Sequence, residues 1–355
     1  MLARNTYLEI NLKNLRTNVS RIISEYNEYQ YFFGVVKADS YGHGGIKTIK
    51  AIIQGGCDYL AVATLEEALD IRKKINEIPI LCLGVVSSQY IETCIQNNIT
   101  VTINSLEYLE EVLEQDCSNL KVHLKLNTGM NRLGVSNQEE IKKIIELLNR
   151  NGIILEGIYT HIYNAECEED YNRQIEKFEE LLSDIDISNV PIIHISASEA
   201  LEKYERPKFV NGCRLGIIMY GFCSNAYLRL RPTMKLMSEV IQIHELKKGE
   251  TVGYGGAYKA SENGEKIAVV SIGYADGIIR KNTGRTVYIN DKEYLIVGNI
   301  CMDMMFVKVD DNVKVHDEVY VLKDIEHINK VAEYLDTIPY EVICSIGKRV
   351  TRIYK

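Results

Sequence analysis

Eight short apolar runs, separated by stretches long enough to hold a helix, constrain this chain more than any other feature. They fall at residues 32–36, 59–63, 80–83, 100–103, 122–126, 155–159, 192–195 and 215–219. Helical periodicity occupies residues 65–75, 106–113, 139–148 and 171–182 between them. Strands joined by connections of that length pair in parallel, because an antiparallel neighbour needs only a tight turn. Eight strand–helix units therefore predict an α/β fold, a (β/α)8 TIM-like barrel. An open doubly wound sheet is the alternative. Against it, no GxGxxG follows the first strand, and polar candidates recur after many strands instead of at one switch point.

The rhythm changes around Arg231-Pro232. Short alternating segments take over at 239–244, 266–271, 286–289, 293–297, 305–309 and 318–321, with Asn290-Asp291 as a hairpin turn and one helix at 328–335. We expect a barrel domain over 1–234 and a mostly β C-terminal domain over 235–355. Ahead of the barrel, 7–12 alternates like a strand, and Leu15, Val19, Ile22 and Ile23 share a helical face.

Composition narrows the partners. A formal charge of −8 without any long basic run argues against nucleic acid or an acidic membrane surface, and leaves small molecules. The nine cysteines are scattered, odd in number and free of C-x-x-C pairs, the pattern of a reduced cytoplasmic protein and not of a disulfide framework or a zinc site. No metal ligand set is legible. The amino terminus lacks a signal-peptide core, and no stretch is apolar enough for a membrane span.

The chemistry-bearing residues cluster at strand ends. In FGVVKADSYGHGG, residues 33–45, Lys37 stands at the carboxyl end of a buried strand, followed by Tyr41 and a glycine-rich turn suited to an anion. Such an ammonium either snorkels to water or serves as an amine nucleophile. In KLNTGMNRLGV, residues 125–135, Lys125 and Arg132 bring two cations to the same end of the barrel, where an anion is needed to offset them. His161 follows the next strand, Ser198 opens a helix where its hydroxyl and the helix amides could hold a phosphate, and Arg214 precedes Gly216-Ile217. Each also has a plainer use: a hydrogen-bonded core histidine, an N-cap, a carbonyl-binding arginine.

These segments, in order, resemble the motifs of the alanine racemases. VVKADSYGHG resembles VVKA(N/D)AYGHG, with Ser40 for the usual alanine; KLNTGMNRLG resembles K-x-D-T-G-M-x-R-L-G, with Asn127 for aspartate. His194-Ile-Ser-Ala-Ser198 takes the place of H-x-x-N-S, with Ala197 for asparagine, and Arg214 to Gly221 matches R-x-G-I-x-x-Y-G. GETVGYGGAY at 249–258, IGYADG at 272–277, GNICMDMM at 298–305, with Asn299 for arginine, and IPYEVIC at 338–344 complete the set.

The resemblance implies a pyridoxal 5'-phosphate enzyme that interconverts L-alanine and D-alanine through a cofactor aldimine and supplies D-alanine for peptidoglycan. It implies that Lys37 carries the cofactor as a Schiff base and acts as base for the D-enantiomer, and that Tyr254 acts for the L-enantiomer, its phenol helped by the charge of Arg214 with His161. Cofactor contacts fall to Tyr41, His161, Ser198, Arg214, Gly216, Ile217 and Tyr340. Substrate contacts fall to Arg132 and Met302, and Lys125 is a candidate for carbamylation. In the family the tyrosine base enters from a second subunit, which implies a homodimer with composite active sites. A serine or broad-specificity racemase shares every motif. A non-enzymatic pyridoxal-phosphate carrier shares the barrel and its lysine, but lacks the second domain.

Overall fold

The computed structural model describes residues 4–355. The chain divides into two compact units, one of residues 15–40 with 45–231, the other joining the residues before 15 to 41–44 and 232–355. Strand β1 (Tyr7–Ile10) belongs to the second.

In the first unit, β2 (Tyr31–Val35), β3 (Tyr59–Val62), β4 (Ile80–Cys82), β5 (Ile99–Ile103), β6 (Lys121–Lys125), β7 (Ile154–Tyr159), β8 (Ile192–Ala197) and β9 (Gly212–Leu215) pair in parallel, each with the next. Strand β9 pairs back onto β2, with Phe33 opposite Arg214, and the barrel closes. Strands β3, β4 and β5 are buried along their whole length, as expected when helices cover one face and the barrel interior the other. The covering helices bury one stripe each. The Gln138–Arg150 helix buries Ile141, Ile144 and Leu148, places Glu139 and Glu140 in its first turn and Arg150 in its last, and is capped by Asn137, whose Oδ1 accepts from Glu140 N at 2.8 Å.

The last barrel strand differs from expectation. It is Gly212–Leu215, not 215–219, and Ile217–Tyr220 forms a 3-10 turn after the backbone leaves strand geometry at Gly216. Gly212 and Cys213 carry little apolar bulk, so the strand's first half leaves no hydrophobic signature.

After β2 the chain makes a turn of left-handed helix. Residues Ala38, Asp39, Ser40 and Tyr41 all have φ between 52° and 55°. For L-residues this costs roughly 1–2 kcal/mol each, and it persists only where surrounding contacts enforce it. One such contact is the Glu67 carboxylate, which accepts from Ala38 N at 2.6 Å while also capping its own helix at Ala63 N.

In the second unit, β10 (Met234–Leu246), β13 (Glu265–Val270), β14 (Thr286–Ile289), β15 (Lys292–Val297), β16 (Met305–Val309), β17 (Glu318–Leu322) and β18 (Thr351–Tyr354) form an eight-stranded sheet with β1, while β11 (Thr251–Val252) and β12 (Tyr258–Lys259) pair as a small hairpin. Strand β1 runs antiparallel to β10 and parallel to β18, burying Leu8 and Ile10 on one face. At the β14–β15 hairpin, Asn290 and Asp291 both take positive φ, the conformation that matches strand twist. Pro339–Cys344 is a helix opened by its proline.

Candidate active site

Every candidate of the barrel unit lies at the carboxyl ends of its strands. Lys125 closes β6, His161 follows β7, Ser198 follows β8, Arg214 lies within β9, and Lys37 stands just past β2. This is the end at which a (β/α)8 barrel builds its sites.

Arg214 is the hub. It is 3% exposed, and its Nη2 donates to the carbonyls of Thr160 and Ile195, both at 2.9 Å, and to His161 Nδ1 at 3.1 Å. Its Nη1 donates to His194 O at 3.1 Å and to His194 Nδ1 at 2.8 Å. A guanidinium has no acceptor, so both imidazoles must offer a bare Nδ1 and carry their proton on Nε2. His194 then donates to His123 Nδ1 at 2.8 Å, and His123 turns its own N–H toward Glu156 Oε2, 3.5 Å away. Tyr59 and Thr100 also donate to that carboxylate. A directed hydrogen-bond chain therefore runs through the barrel core from Arg214 to His123, whose Nε2 makes no hydrogen bond and faces the Glu156 carboxylate.

Packing holds the chain in place. The His194 ring is stacked between Phe33 and Tyr159, with centroids 4.6 Å from each. The His123 ring fits because Gly157 faces it; a Cβ there would collide with the imidazole. Burial, then the charges of Arg214, His123 and Lys125, hold His194 well below the usual histidine range. His123 is also lowered, by burial first, although Glu156 opposes the shift. Burial raises Glu156, but its contacts with His123, Tyr59 and Thr100 outweigh this and bring it down to about 2. The result is a buried cation and a half-buried anion with two neutral imidazoles between them.

Around Arg214 the field is positive. Lys125 is 5% exposed, its Nζ is 4.6 Å from the Tyr159 ring centroid, and neither it nor Arg132 has an ion pair among the described residues. Burial, with Arg214 and Arg132, lowers Lys125 to about 7. His161 is lowered to about 2 by burial and by Arg214, Lys125, Arg132 and Lys37. Arg132 itself is exposed on a loop that Asn127 organises: its Oδ1 accepts from Gly129 N and Asn131 N, and its Nδ2 donates to Asn131 Oδ1 and Ser136 Oγ. Ser198 does not cap its own helix. Its Oγ accepts from Gly216 N at 3.2 Å and Ile218 N at 3.4 Å, gathering a hydroxyl and backbone amides at one point.

The remaining candidates lie in the second unit. The rings of Tyr41 and Tyr340 are 6.0 Å apart. The segment carrying Tyr41 is seated by Gly42, where a Cβ would run into Ile343 O, and by Arg352, which donates to Gly42 O. Tyr254 is 76% exposed and Met302 is 53% exposed. Asn299 Nδ2 donates to Tyr254 O at 2.8 Å, and the IGYADG segment holds the Met302 loop through Tyr274 N to Cys301 O and Ala275 N to Met302 O, both 3.0 Å. Its Asp276 is fully buried and paired with Arg4 and Arg349.

Three residues here escape sequence reasoning. His194 stands out in the sequence only as part of a motif, and His123 and Glu156 do not stand out at all. The available signal was a histidine two residues before Lys125, which places both side chains on one face of β6.

Comparisons with known proteins identify the family. The alanine racemase N-terminal domain model matches residues 10–224, and the C-terminal domain model matches 233–354. The chain is 36% identical to alanine racemase 1 of Bacillus subtilis and 35% identical to alanine racemase of Staphylococcus saprophyticus, each over 99% of this chain and 93% or 95% of the relative. Among solved structures, alanine racemase of Clostridium difficile superposes with a TM-score of 0.94 at 36% identity, covering 100% of this chain and 97% of that one. The Bacillus anthracis alanine racemase with bound L-Ala-P gives 0.91 at 31% identity, over 100% and 96%. With both domains matched and relatives aligned end to end, the chain belongs to the alanine racemase family.

Proposed function

We propose that this protein interconverts L-alanine and D-alanine with pyridoxal 5'-phosphate as cofactor, acting as a cytoplasmic homodimer whose product feeds peptidoglycan synthesis. The observation that carries the reading is the positive field around Arg214: buried Lys125 and loop-borne Arg132 have no ion-pair partner among the described residues, and Ser198 gathers backbone amides at the carboxyl end of the same barrel. Such a set fits a ligand bearing a phosphate and a carboxylate. All nine cysteines are free, which supports a reducing compartment.

The cofactor, when bound, supplies a conjugated ring that acidifies the substrate Cα–H. Lys37 would hold it covalently, Arg214 would face its ring nitrogen, and Tyr41, Tyr340, Ser198 and the Gly216-Ile217 backbone would take its phosphate. Arg214 keeps its proton to above pH ~12 and is fixed by two imidazoles and three carbonyls, so it donates a hydrogen bond without giving up the proton. That setting disfavours prolonged storage of negative charge on the ligand and favours brief proton exchange.

Arg132 and the Met302 backbone would orient the substrate, and a carbamate on Lys125 would place a negative charge between Arg132 and Arg214. Inversion requires one base on each face of Cα. Lys37 serves the D-enantiomer and Tyr254 the L-enantiomer. The exposure of Tyr254 and Met302 on a single chain supports a site completed by the second subunit.

The test is chiral chromatography of the purified protein with pyridoxal phosphate, after incubation with L-alanine or L-serine. D-Alanine forming much faster than D-serine is the expected result. The reverse order would move the assignment to serine, and no D-product from a yellow, cofactor-loaded protein would refute catalysis.

A further inference from the structure

The second unit contains a cavity of about 220 Å³, far above the ~15 Å³ that admits a single water. Ile278, Leu322, Val331, Leu335, Val342 and Ile346 line it, so its walls accept an apolar body. Arg285 lines it too, at 5% exposure.

That arginine is incompletely used. Its Nε donates to Asn282 Oδ1 at 2.7 Å and its Nη1 to Thr286 O at 2.9 Å and Val321 O at 3.2 Å, but Nη2 has no hydrogen-bond partner and is shielded from water. No carboxylate pairs with it among the described residues. Burial lowers it only to about 10, so it remains a cation at neutral pH. Arg72 shows how the same chain satisfies a structural arginine. Also buried and without a carboxylate, it donates from Nε, Nη1 and Nη2 to the carbonyls of Asn97, Ile75, Asn76, Ile78 and Asn98. Leaving a buried charged donor unmet is costly, and an anion beside it removes that cost.

We propose that this cavity binds a monocarboxylate with an apolar tail, its carboxylate on the Arg285 guanidinium and its tail against the aliphatic walls. Asp336 and Glu341 also line the cavity and disfavour a second negative charge, which selects a monoanion over a phosphate or a diacid. The bound carboxylate draws the guanidinium toward the cavity at the expense of the long bond to Val321 O. Val342 lies on the helix of Tyr340, so the ligand packs against the element that presents that tyrosine.

The probe is sodium octanoate, titrated calorimetrically into the holoenzyme, with acetate and 1-octanol as partial analogues. Octanoate is expected to bind at least tenfold more tightly than either, because acetate lacks the tail and octanol the charge. Arg285→Leu should weaken octanoate at least tenfold, and Val331→Phe, which fills the cavity and leaves Arg285 in place, should do the same while racemase activity persists. Octanoate binding that survives both substitutions would place the ligand elsewhere, Arg132 included, and overturn the proposal. Equal affinity for octanol would show a merely apolar cavity and overturn it as well.

Discussion

Arg214 Nη1 lies 2.8 Å from His194 Nδ1, and this one contact orients a hydrogen-bond chain that ends on His123, whose Nε2 faces Glu156. Because the guanidinium only donates, each imidazole along the chain is left with one permitted tautomer. Replacing Glu156 by Gln removes the negative end while keeping the shape. We expect 15N NMR of labelled histidine to show single Nε2-protonated tautomers at His123 and His194 in the parent, and in Glu156→Gln the same tautomers with a shifted His123 Nε2 resonance. Loss of the charge partner should also cost about 1–3 kcal/mol of stability, read by denaturant unfolding. Unchanged histidine spectra would contradict the chain.

Ser40 stands where the family usually has alanine, and the structure shows what the substitution costs. Its side chain is fully buried in the left-handed turn, and its Oγ has no hydrogen-bond partner. Ser40→Ala should therefore raise stability by about 1 kcal/mol without altering turnover, measured as a shift in melting temperature.

Lys125 carries a pH dependence with a definite sign. Its folded-state value, about 7, lies below the ordinary lysine value of about 10.5, so between these limits the unfolded chain binds the extra proton. Stability should rise as pH is raised from about 7 toward 10.5, and Lys125→Met should flatten that slope. The same neutral amine is open to carbon dioxide. Intact mass spectrometry in bicarbonate above pH 7 should show one added carbon dioxide on the parent and none on Lys125→Met.

Asn299 replaces the arginine usual in the family, and it holds the backbone of the proposed L-specific base through Tyr254 O. Asn299→Ala should lower kcat several-fold with little change in KM, because it loosens the base and leaves the substrate contacts alone. A change confined to KM would place Asn299 among the substrate contacts instead.

The barrel was legible because its strands are covered on both sides and so are apolar throughout, as in β3 to β5. Strand β9 lies a few residues before its apolar run because Gly212 and Cys213 carry little side chain. Strand β1 alternates clearly, yet nothing local reveals that its partners are β10 and β18, more than two hundred residues away. The candidate residues stood out because each sits in a short motif, those of the barrel at strand ends. The chain from Arg214 toward Glu156 did not, because His194, His123 and Glu156 are placed side by side only when the barrel closes. Arg285 escaped for the opposite reason. A basic residue in a turn looks solvated until the packing around it is known.

Tyr254→Phe in deuterated water tests most directly whether two bases act on opposite faces of one carbon. The substitution should slow racemisation by about 10²–10⁴-fold. D-Alanine should still exchange its Cα hydrogen for deuterium, because Lys37 serves that face unaided. Racemisation at the parent rate, or loss of exchange together with racemisation while cofactor binding is intact, would contradict the account.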